Sequence, residues 1–380
     1  MKSIAHLSPN PEPFWSRSQL HPASPIPPRQ QLSLGLIGPG RVGNALLNQL
    51  RSNQLRLIER TGVQLRLHGV ASSKKMWMYE TDAMQQWHPG NESHPVDLEA
   101  FVRHMRSAGT QVMLIDCTAS DVVVEHYEQW MQNGIHIVTP NKLAGSGPLD
   151  RWQRIQRAGN SAHFRQEATV CAGLPVVQTL RDFIDTGDEL LSIEGMFSGT
   201  LAWLCHHYDG SRSFSALLRD AHALAYTEPD PREDLSGMDV ARKLIILARE
   251  AGLSMSLDDV QVQNLVPDRL GEVSTESFFS NMEELDAMMA EKLAEARAQG
   301  GILRHVGRLD SKGHGSVGLC ILPPEHTFAH TSATDNVIQF DTHRYHDNPM
   351  KIQGPGAGPE VTAGGIFADL LRIASSLPRQ

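Results

Sequence analysis

Cysteine is scarce: Cys117, Cys171, Cys205 and Cys320 are the whole complement of a 380-residue chain. They lie far apart with no paired spacing, which excludes a disulfide framework or a zinc ribbon and fits a reducing cytoplasm. Basic charge is in deficit, with 34 Lys and Arg against 43 Asp and Glu and a net charge of -9. That balance argues against nucleic acid as a partner, since phosphate binding needs a basic surface. No apolar run is long enough for a membrane span, and the N-terminus lacks the unbroken apolar core of a signal peptide. What remains is a globular composition, 40% hydrophobic and 20% charged, in a chain long enough for two domains and a small-molecule site.

Residues 1 to 30 carry no hydrophobic period, and their prolines disfavour both helix and central strand. They read as a flexible proline-rich leader, with a transit peptide as the other reading. From "LSLGLIG" to about residue 140, short apolar runs ("VQLRLHGVA", "VMLIDCT", "IHIVTP") alternate with longer segments able to form helices. Such alternation predicts a parallel sheet covered on both faces. After about residue 165 the order changes. "LLSIEGMFSG", "GILRHVGRLD" and "GSVGLCILP" read as strands, and "SFSALLRDAHALAY" and "DVARKLIILAREAG" as helices. "MEELDAMMAEKLAEARAQG" reads as a long exposed helix, and "TAGGIFADLLRIASSL" as a final amphipathic one.

The sharpest local signal is Gly38-Pro39-Gly40-Arg41-Val42-Gly43, a G-x-G-x-x-G placed after a strand and before the helix "RVGNALLNQL". Glycines permit the tight turn and let backbone N–H groups approach a pyrophosphate at the positive end of the helix. An acid for the adenine ribose is expected about 20 residues on. Glu59 falls there but precedes the second strand, whose far end reads "GVASSKK". Hydroxyl and ammonium groups there, from Ser72 and Lys74, suit a 2′-phosphate that a carboxylate would repel. NADP is therefore the expected cofactor, with NAD the alternative and Lys75 a solvated surface lysine. Thr118 of "DCTAS" and Lys142 of "TPNK" follow apolar strands, at the carboxyl ends where open α/β sheets bind ligands.

A second signal is "YTEPDPREDLSGMDVARK", residues 226 to 243, which sets many charges against the apolar run "LIILA". Asp239 and Lys243 are four apart and share a helix face. Alone, such a pair is ordinarily a solvated ion pair of little consequence, and "EPDP" is ordinarily a turn. Their conjunction with the glycine turn and "TPNK" points to a pocket instead.

Taken in order, "GLIGPGRVG", "DCTAS", "TPNK", "EATVCAGLPVVQTLRDFIDTGDELLSIEGMFSGT", "YTEPDPREDLSGMDVARKL" and "IQGPGAGPEVTAGGIFADLL" closely resemble homoserine dehydrogenase. The likeness covers residues 31 to 380 and is greatest to the dehydrogenase half of bifunctional aspartokinase–homoserine dehydrogenases, here expected without the kinase and without a following regulatory domain. The resemblance implies reversible NAD(P)H-dependent reduction of aspartate semialdehyde to homoserine, in threonine, methionine and isoleucine biosynthesis. It implies an α/β fold, with a Rossmann-type parallel-sheet domain over residues 31–165 and 350–380. An α+β substrate-binding and dimerisation domain would span 166–349, in a homodimer. By motif it makes Lys142 and Lys243 catalytic. Glu228, Asp239, Thr200, Tyr226, Thr227 and Asp234 would line the substrate site. Gly38, Gly40, Arg41, Val42, Gly43, Ser72, Lys74, Thr118, Lys142 and Gly358 would meet the cofactor. A monovalent cation, usually sodium, would sit on Glu167 and the carbonyls of Val170, Ala172 and Leu174.

Residue chemistry is consistent with these roles. Reducing an aldehyde needs a proton for the oxygen as hydride reaches the carbon, and burial is expected to lower a lysine pKa toward neutrality for that task. Glu228 and Asp239 suit a substrate ammonium. Three departures stand out: Cys171 replaces the family's glycine in "VGAGLP", Leu143 follows Lys142 where the family has lysine, and "FSGTLAWLC" lacks the usual Ser-Tyr. A cysteine there would be strained if φ is positive. Two rival readings are a metal-dependent hydrolase, prompted by 18 histidines, and a non-enzymatic paralogue serving as a regulatory partner. The histidines lack an accompanying acidic zinc motif, and "HTFAH" lies in a strand-prone segment.

Overall fold

The chain's computed structural model describes residues 30–378 apart from 110 and 333. The expected leader therefore lies outside the described residues, Gln30 excepted. The alternating apolar runs become a seven-stranded sheet. Its strands are β1 (Gln30–Ile37), β2 (Val63–Ala71), β3 (Lys75–Met78), β4 (His94–Pro95), β5 (Val112–Asp116), β6 (His136–Val138) and β7 (Phe164–Arg165). Their order is β4-β3-β2-β1-β5-β6-β7. The run from β2 to β7 is parallel, whereas β3 and β4 add an antiparallel edge. β5 and β6 are buried along their whole length, as expected for strands covered on both faces. After β2 and its edge hairpin the chain crosses to the other side of β1. The crevice therefore opens at the carboxyl ends of β1 and β5, where ligands of such sheets bind.

The second sheet is built from β8 (Leu190–Met196), β9 (Val260–Val262), β10 (Ile302–Asp310), β11 (Gly315–Leu322), β12 (Asp335–Thr342) and β13 (Met350–Pro355), in the order β13-β12-β8-β10-β11-β9. It is antiparallel except for the β9–β11 pair. The helix Met238–Glu250 lies on one face. Its Val240, Leu244, Ile245 and Leu247 join Ile193, Leu309, Val317 and Phe340 in one apolar cluster. Each such side chain contributes about 1.5–3 kcal/mol on burial, so the apolar stripe of "LIILA" fixes where Asp239 and Lys243 stand. Because β13 pairs with β12, the return to the first sheet falls after Pro355 and not at residue 350. The helix Pro359–Ser376 then packs Ala363, Ile366 and Leu370 against Ala45, Leu46 and Leu50 of the helix Arg41–Thr61.

Two expectations change. Helix Glu284–Ala298 is not simply exposed: Leu285, Met289 and Ala296 are buried against Leu217, Leu218 and Leu303. "HTFAH" contains a single 3-10 turn, Thr327–Ala329, and no strand.

A buried acid ties the two halves together. Glu167 accepts hydrogen bonds from Val177 N at 2.8 Å and Gln178 N at 3.0 Å, capping the helix Val176–Asp185. Its own N–H donates to Asp369 on the returning helix at 2.8 Å, and Arg372 reaches its Oε2 at 3.2 Å. Burial, then the Asp369 carboxylate, pushes Glu167 up from 4.5 to about 7. An acid that holds its proton more tightly folded than unfolded stabilises most below the unfolded value, and that contribution is lost as pH rises through the folded value. The stability difference between wild type and Glu167→Gln is therefore expected to decline from pH 4.5 to 7 in denaturant titrations; a pH-independent difference contradicts this assignment.

Candidate active site

At the carboxyl end of β1 the chain turns through Gly38, with φ 90°, into the helix Arg41–Thr61. A Cβ at Gly43 would overlap the Gly38 carbonyl oxygen, so the turn closes only with glycine there. Gly40, the residue before the helix, has nothing within 4 Å of where a Cβ would stand. That leaves an open cradle at a helix N-terminus, which fits a dinucleotide pyrophosphate. Arg41 and Val42 are the first two helical residues, and Val42 also packs on the core. At the end of β2, Ser72 Oγ accepts from Lys75 N at 3.0 Å and Lys74 N at 3.3 Å. The hydroxyl thus shapes a turn that presents Lys74, which is exposed. Glu59 lies within the glycine-turn helix.

The two strand ends carrying "DCTAS" and "TPNK" are stitched by polar groups that sequence reasoning passed over. Asp116, buried at the end of β5, takes Tyr127 Oη at 2.6 Å, Asn141 Nδ2 at 3.1 Å and Thr118 N at 2.8 Å. Thr139 Oγ1 donates to the Asp116 carbonyl at 2.8 Å. A carboxylate closing an otherwise apolar strand was the available signal. Thr118 also abuts the glycine turn, since a Cβ on Gly38 would stand 2.8 Å from its methyl group. Asn141 caps the short helix Lys142–Ser146 through Leu143 N, which puts Lys142 on its first turn.

Lys142 then meets the second sheet's helix. Its Nζ lies 3.2 Å from Asp239 Oδ1, and Lys243 Nζ lies 2.8 Å from Asp239 Oδ2. Two lysines from separate sheets therefore share one carboxylate. Lys243 is buried with its side chain 9% exposed, whereas Lys142 and Asp239 are 35% and 44% exposed. Lys243 Nζ also donates to the Phe197 carbonyl at 2.7 Å. Burial disfavours the Lys243 ammonium, but Asp239 outweighs it, with Cys171 and Asp234 adding, and the pKa is raised. The expected fall toward neutrality is not what the geometry gives, because a counter-ion in direct contact reverses the effect of burial. Burial likewise opposes the charged form of Asp239, yet Lys243 and Lys142 hold it well below the usual carboxylate range.

Beside this cluster, the hydroxyl oxygen of buried Thr200 lies 2.6 Å from the Tyr226 carbonyl and 2.8 Å from Asp234 Oδ1, two acceptors that share its single hydrogen. Asp234 Oδ2 accepts from Glu228 N at 2.8 Å. Burial pushes Asp234 up, and the Glu228 and Asp239 carboxylates add to it. Thr227 Oγ1 donates to the Glu228 carbonyl at 2.8 Å and pairs with His222 Nδ1 at 2.9 Å. Glu228 and Tyr226 face solvent, Tyr226 against Trp203. Among the described residues the Glu228 carboxylate has no partner, whereas both Asp239 oxygens are engaged by lysines.

The "VCAGLP" loop is strained: Cys171 and Ala172 have φ 57° and 56°, a region that costs roughly 1–2 kcal/mol per non-glycine residue. The Val170 and Ala172 carbonyls accept no hydrogen bond among the described residues, while Leu174 O accepts from Val176 N at 2.8 Å. The Glu167 carboxylate is occupied by the helix cap and Arg372. Free carbonyls suit a hard cation; the side chain of Glu167 is not available to it in this arrangement. Gly358, at φ 118°, starts the returning helix. The described residues contain no group of three or more His, Cys, Asp or Glu able to hold a metal.

Comparison with known proteins accords with this arrangement. A family model described as homoserine dehydrogenase matches residues 175–371, and one for the NAD binding domain of homoserine dehydrogenase matches 38–167. The chain is 44% identical over 356 residues to bifunctional aspartokinase/homoserine dehydrogenase 2, chloroplastic, of Zea mays, covering 91% of this chain and 39% of that protein. It thus spans about two fifths of the length of that relative. It is 34% identical over 364 residues to homoserine dehydrogenase of Schizosaccharomyces pombe, covering 92% of this chain and 97% of that one. A crystal structure of a Candida auris protein of unknown function superposes with TM-score 0.85 at 33% identity, over 91% and 99% of the two chains. With a nicotinamide-binding sheet, a second sheet bearing the lysine helix, and a full-length relative matched almost end to end, the chain belongs to the homoserine dehydrogenase family.

Proposed function

We propose that this chain catalyses the reversible, NADP(H)-dependent interconversion of L-aspartate 4-semialdehyde and L-homoserine in the biosynthesis of threonine, methionine and isoleucine. The observation that carries it is the Lys142–Asp239–Lys243 cluster. Lys243 spends two of its three N–H donors on Asp239 and Phe197 O, which leaves the third for a substrate oxygen. In reduction, Lys243 hydrogen-bonds the aldehyde oxygen and delivers the proton, and Lys142 adds positive charge where the alkoxide develops. Bound nicotinamide would supply or take the hydride. Glu228, whose carboxylate has no partner among the described residues, is assigned to the substrate ammonium, and Thr200, Tyr226, Thr227 and Asp234 frame the pocket. Asp239 acts as counter-ion to the lysines.

NADP over NAD is supported by the Ser72 turn that presents Lys74, in a strand end "GVASSKK" that carries no acid of its own; NAD remains the alternative. Gly38, Gly40, Arg41, Val42, Gly43, Thr118 and Gly358 are assigned to the cofactor. A monovalent cation such as sodium is assigned to the loop after Glu167, on the Val170 and Ala172 carbonyls, which accept no hydrogen bond among the described residues, with Leu174 O beside them and the Glu167 carboxylate held elsewhere. A homodimer stays as a proposal from the family likeness, and a cytoplasmic location as one from the four scattered cysteines; no described helix is long and apolar enough to cross a membrane. The intact lysine–carboxylate cluster speaks against a non-enzymatic paralogue.

The test is nicotinamide absorbance with homoserine and either NADP⁺ or NAD⁺. We expect turnover with both and higher kcat/KM with NADP⁺, and loss of about a hundredfold or more in kcat for Lys243→Ala with NADPH affinity retained. Wild-type turnover in that variant removes the role given to Lys243. The raised Lys243 pKa adds a directional expectation. An ammonium cannot accept the hydroxyl proton of homoserine, so oxidation should accelerate with pH and show no plateau below the ordinary lysine value of 10.5. Semialdehyde reduction should stay flat across neutral pH. An oxidation plateau near neutrality would mean that Lys243 is deprotonated there.

A further inference from the structure

Lys243 leans on a carbonyl that has no ladder partner of its own. The β8–β12 pairing ends at Met196 opposite Val337, and the next residue, Phe197, turns its carbonyl away from the sheet toward Lys243. A buried backbone acceptor free to rotate would give a poor anchor for a catalytic ammonium. Asn336, one residue before Val337 and 1% exposed, supplies what the ladder does not. Its Nδ2 donates to Phe197 O at 2.8 Å and to Cys171 Sγ at 3.1 Å. The carbonyl therefore takes Asn336 on one side and Lys243 Nζ, at 2.7 Å, on the other.

We infer that Asn336 is a positioning residue for the dehydrogenase reaction: its amide fixes the Phe197 carbonyl and so aims the remaining N–H of Lys243 at the substrate oxygen. The amide has one workable orientation, since flipping it would set Oδ1 against the Phe197 oxygen. Its Oδ1 accepts no hydrogen bond among the described residues, a cost of roughly 1–3 kcal/mol that an ordinary core position would not retain. Cys171 fits the same design. The thiol stands at a φ that favours glycine, and it is the second acceptor for the Asn336 amide. Gly356 completes the enclosure, because a Cβ there would overlap that amide. The segment between β13 and the returning helix thus presses directly on the group that steers Lys243.

This inference rests on the proposed role of Lys243, so the test separates the two. Full-length wild type, Asn336→Leu and the near-isosteric Asn336→Asp are compared for kcat, NADPH dissociation constant and the ¹³Cε resonance of Lys243 against pH, assigned by its loss in Lys243→Arg. The titratable groups facing Lys243 are Asp239 on its own helix, Lys142, Asp234 and the Cys171 thiol, and all are unchanged in these variants. Both substitutions should lower kcat by about tenfold and leave NADPH affinity intact. The Lys243 titration should move down in Asn336→Leu, which loses the aligned carbonyl, and up in Asn336→Asp, which adds a negative charge. General loosening of the fold would not produce shifts of opposite sign. A Lys243 resonance that titrates as in wild type in both variants overturns the inference, and if Asn336→Leu does not fold, Asn336→Asp decides. Absence of NADP-linked turnover in wild type would defeat the functional reading while the resonance still judges Asn336.

Discussion

The arrangement depends on one carboxylate lying between two ammonium groups. Asp239 joins Lys142, carried at the end of a parallel-sheet strand, to Lys243, carried on a helix of the antiparallel sheet. Without it Lys243 would be a buried ammonium whose one direct partner here is the Phe197 carbonyl, and burial would disfavour its charge. With it the cluster keeps one net positive charge beside the crevice where the cofactor turn ends. The two sheets need each other for this: neither half alone contains both lysines.

In the proposed reaction Asp239 serves as counter-ion to both lysines, and the substrate's own ammonium is assigned to Glu228, an acid open to solvent. Asp234 meanwhile holds the loop bearing Glu228 and is itself fixed by Thr200. Behind these groups stand the Asp116–Tyr127–Asn141 network, which sets the helix of Lys142, and the Glu167–Arg372–Asp369 clasp, which seats the returning helix. The chemistry is at the surface of the crevice, and the polar scaffolding that aims it is buried.

Much of this was legible in the sequence, because strand-then-glycine-turn and apolar-stripe-with-charged-face patterns are local. Gly38–Gly43 was found by its glycine motif between a strand and a helix, and the "LIILA" helix and the ends of β5 and β6 by their apolar runs. The antiparallel edge of β3 and β4 was not, since two- and four-residue strands carry almost no period. The Lys243 pKa was misjudged in direction. Burial could be anticipated from the apolar neighbours, but the outcome depends on whether Asp239 reaches Nζ, which is a matter of ångströms. Asn336 and Phe197 left no signal either: one acts through a side-chain amide in a strand, the other through its backbone. Cys171 was visible as an oddity, and its positive φ followed from the glycine it replaces, but its contact with Asn336 spans 165 residues of chain.

The claim that Asp239 controls the protonation of Lys243 is tested most directly by the pH dependence of homoserine oxidation in Asp239→Asn. Removing the counter-ion leaves burial unopposed, so the apparent pKa of the rising limb should fall below 10.5 and a plateau should come into view. A limb unchanged from wild type would show that Asp239 does not govern Lys243, and the account of the site would fail with it.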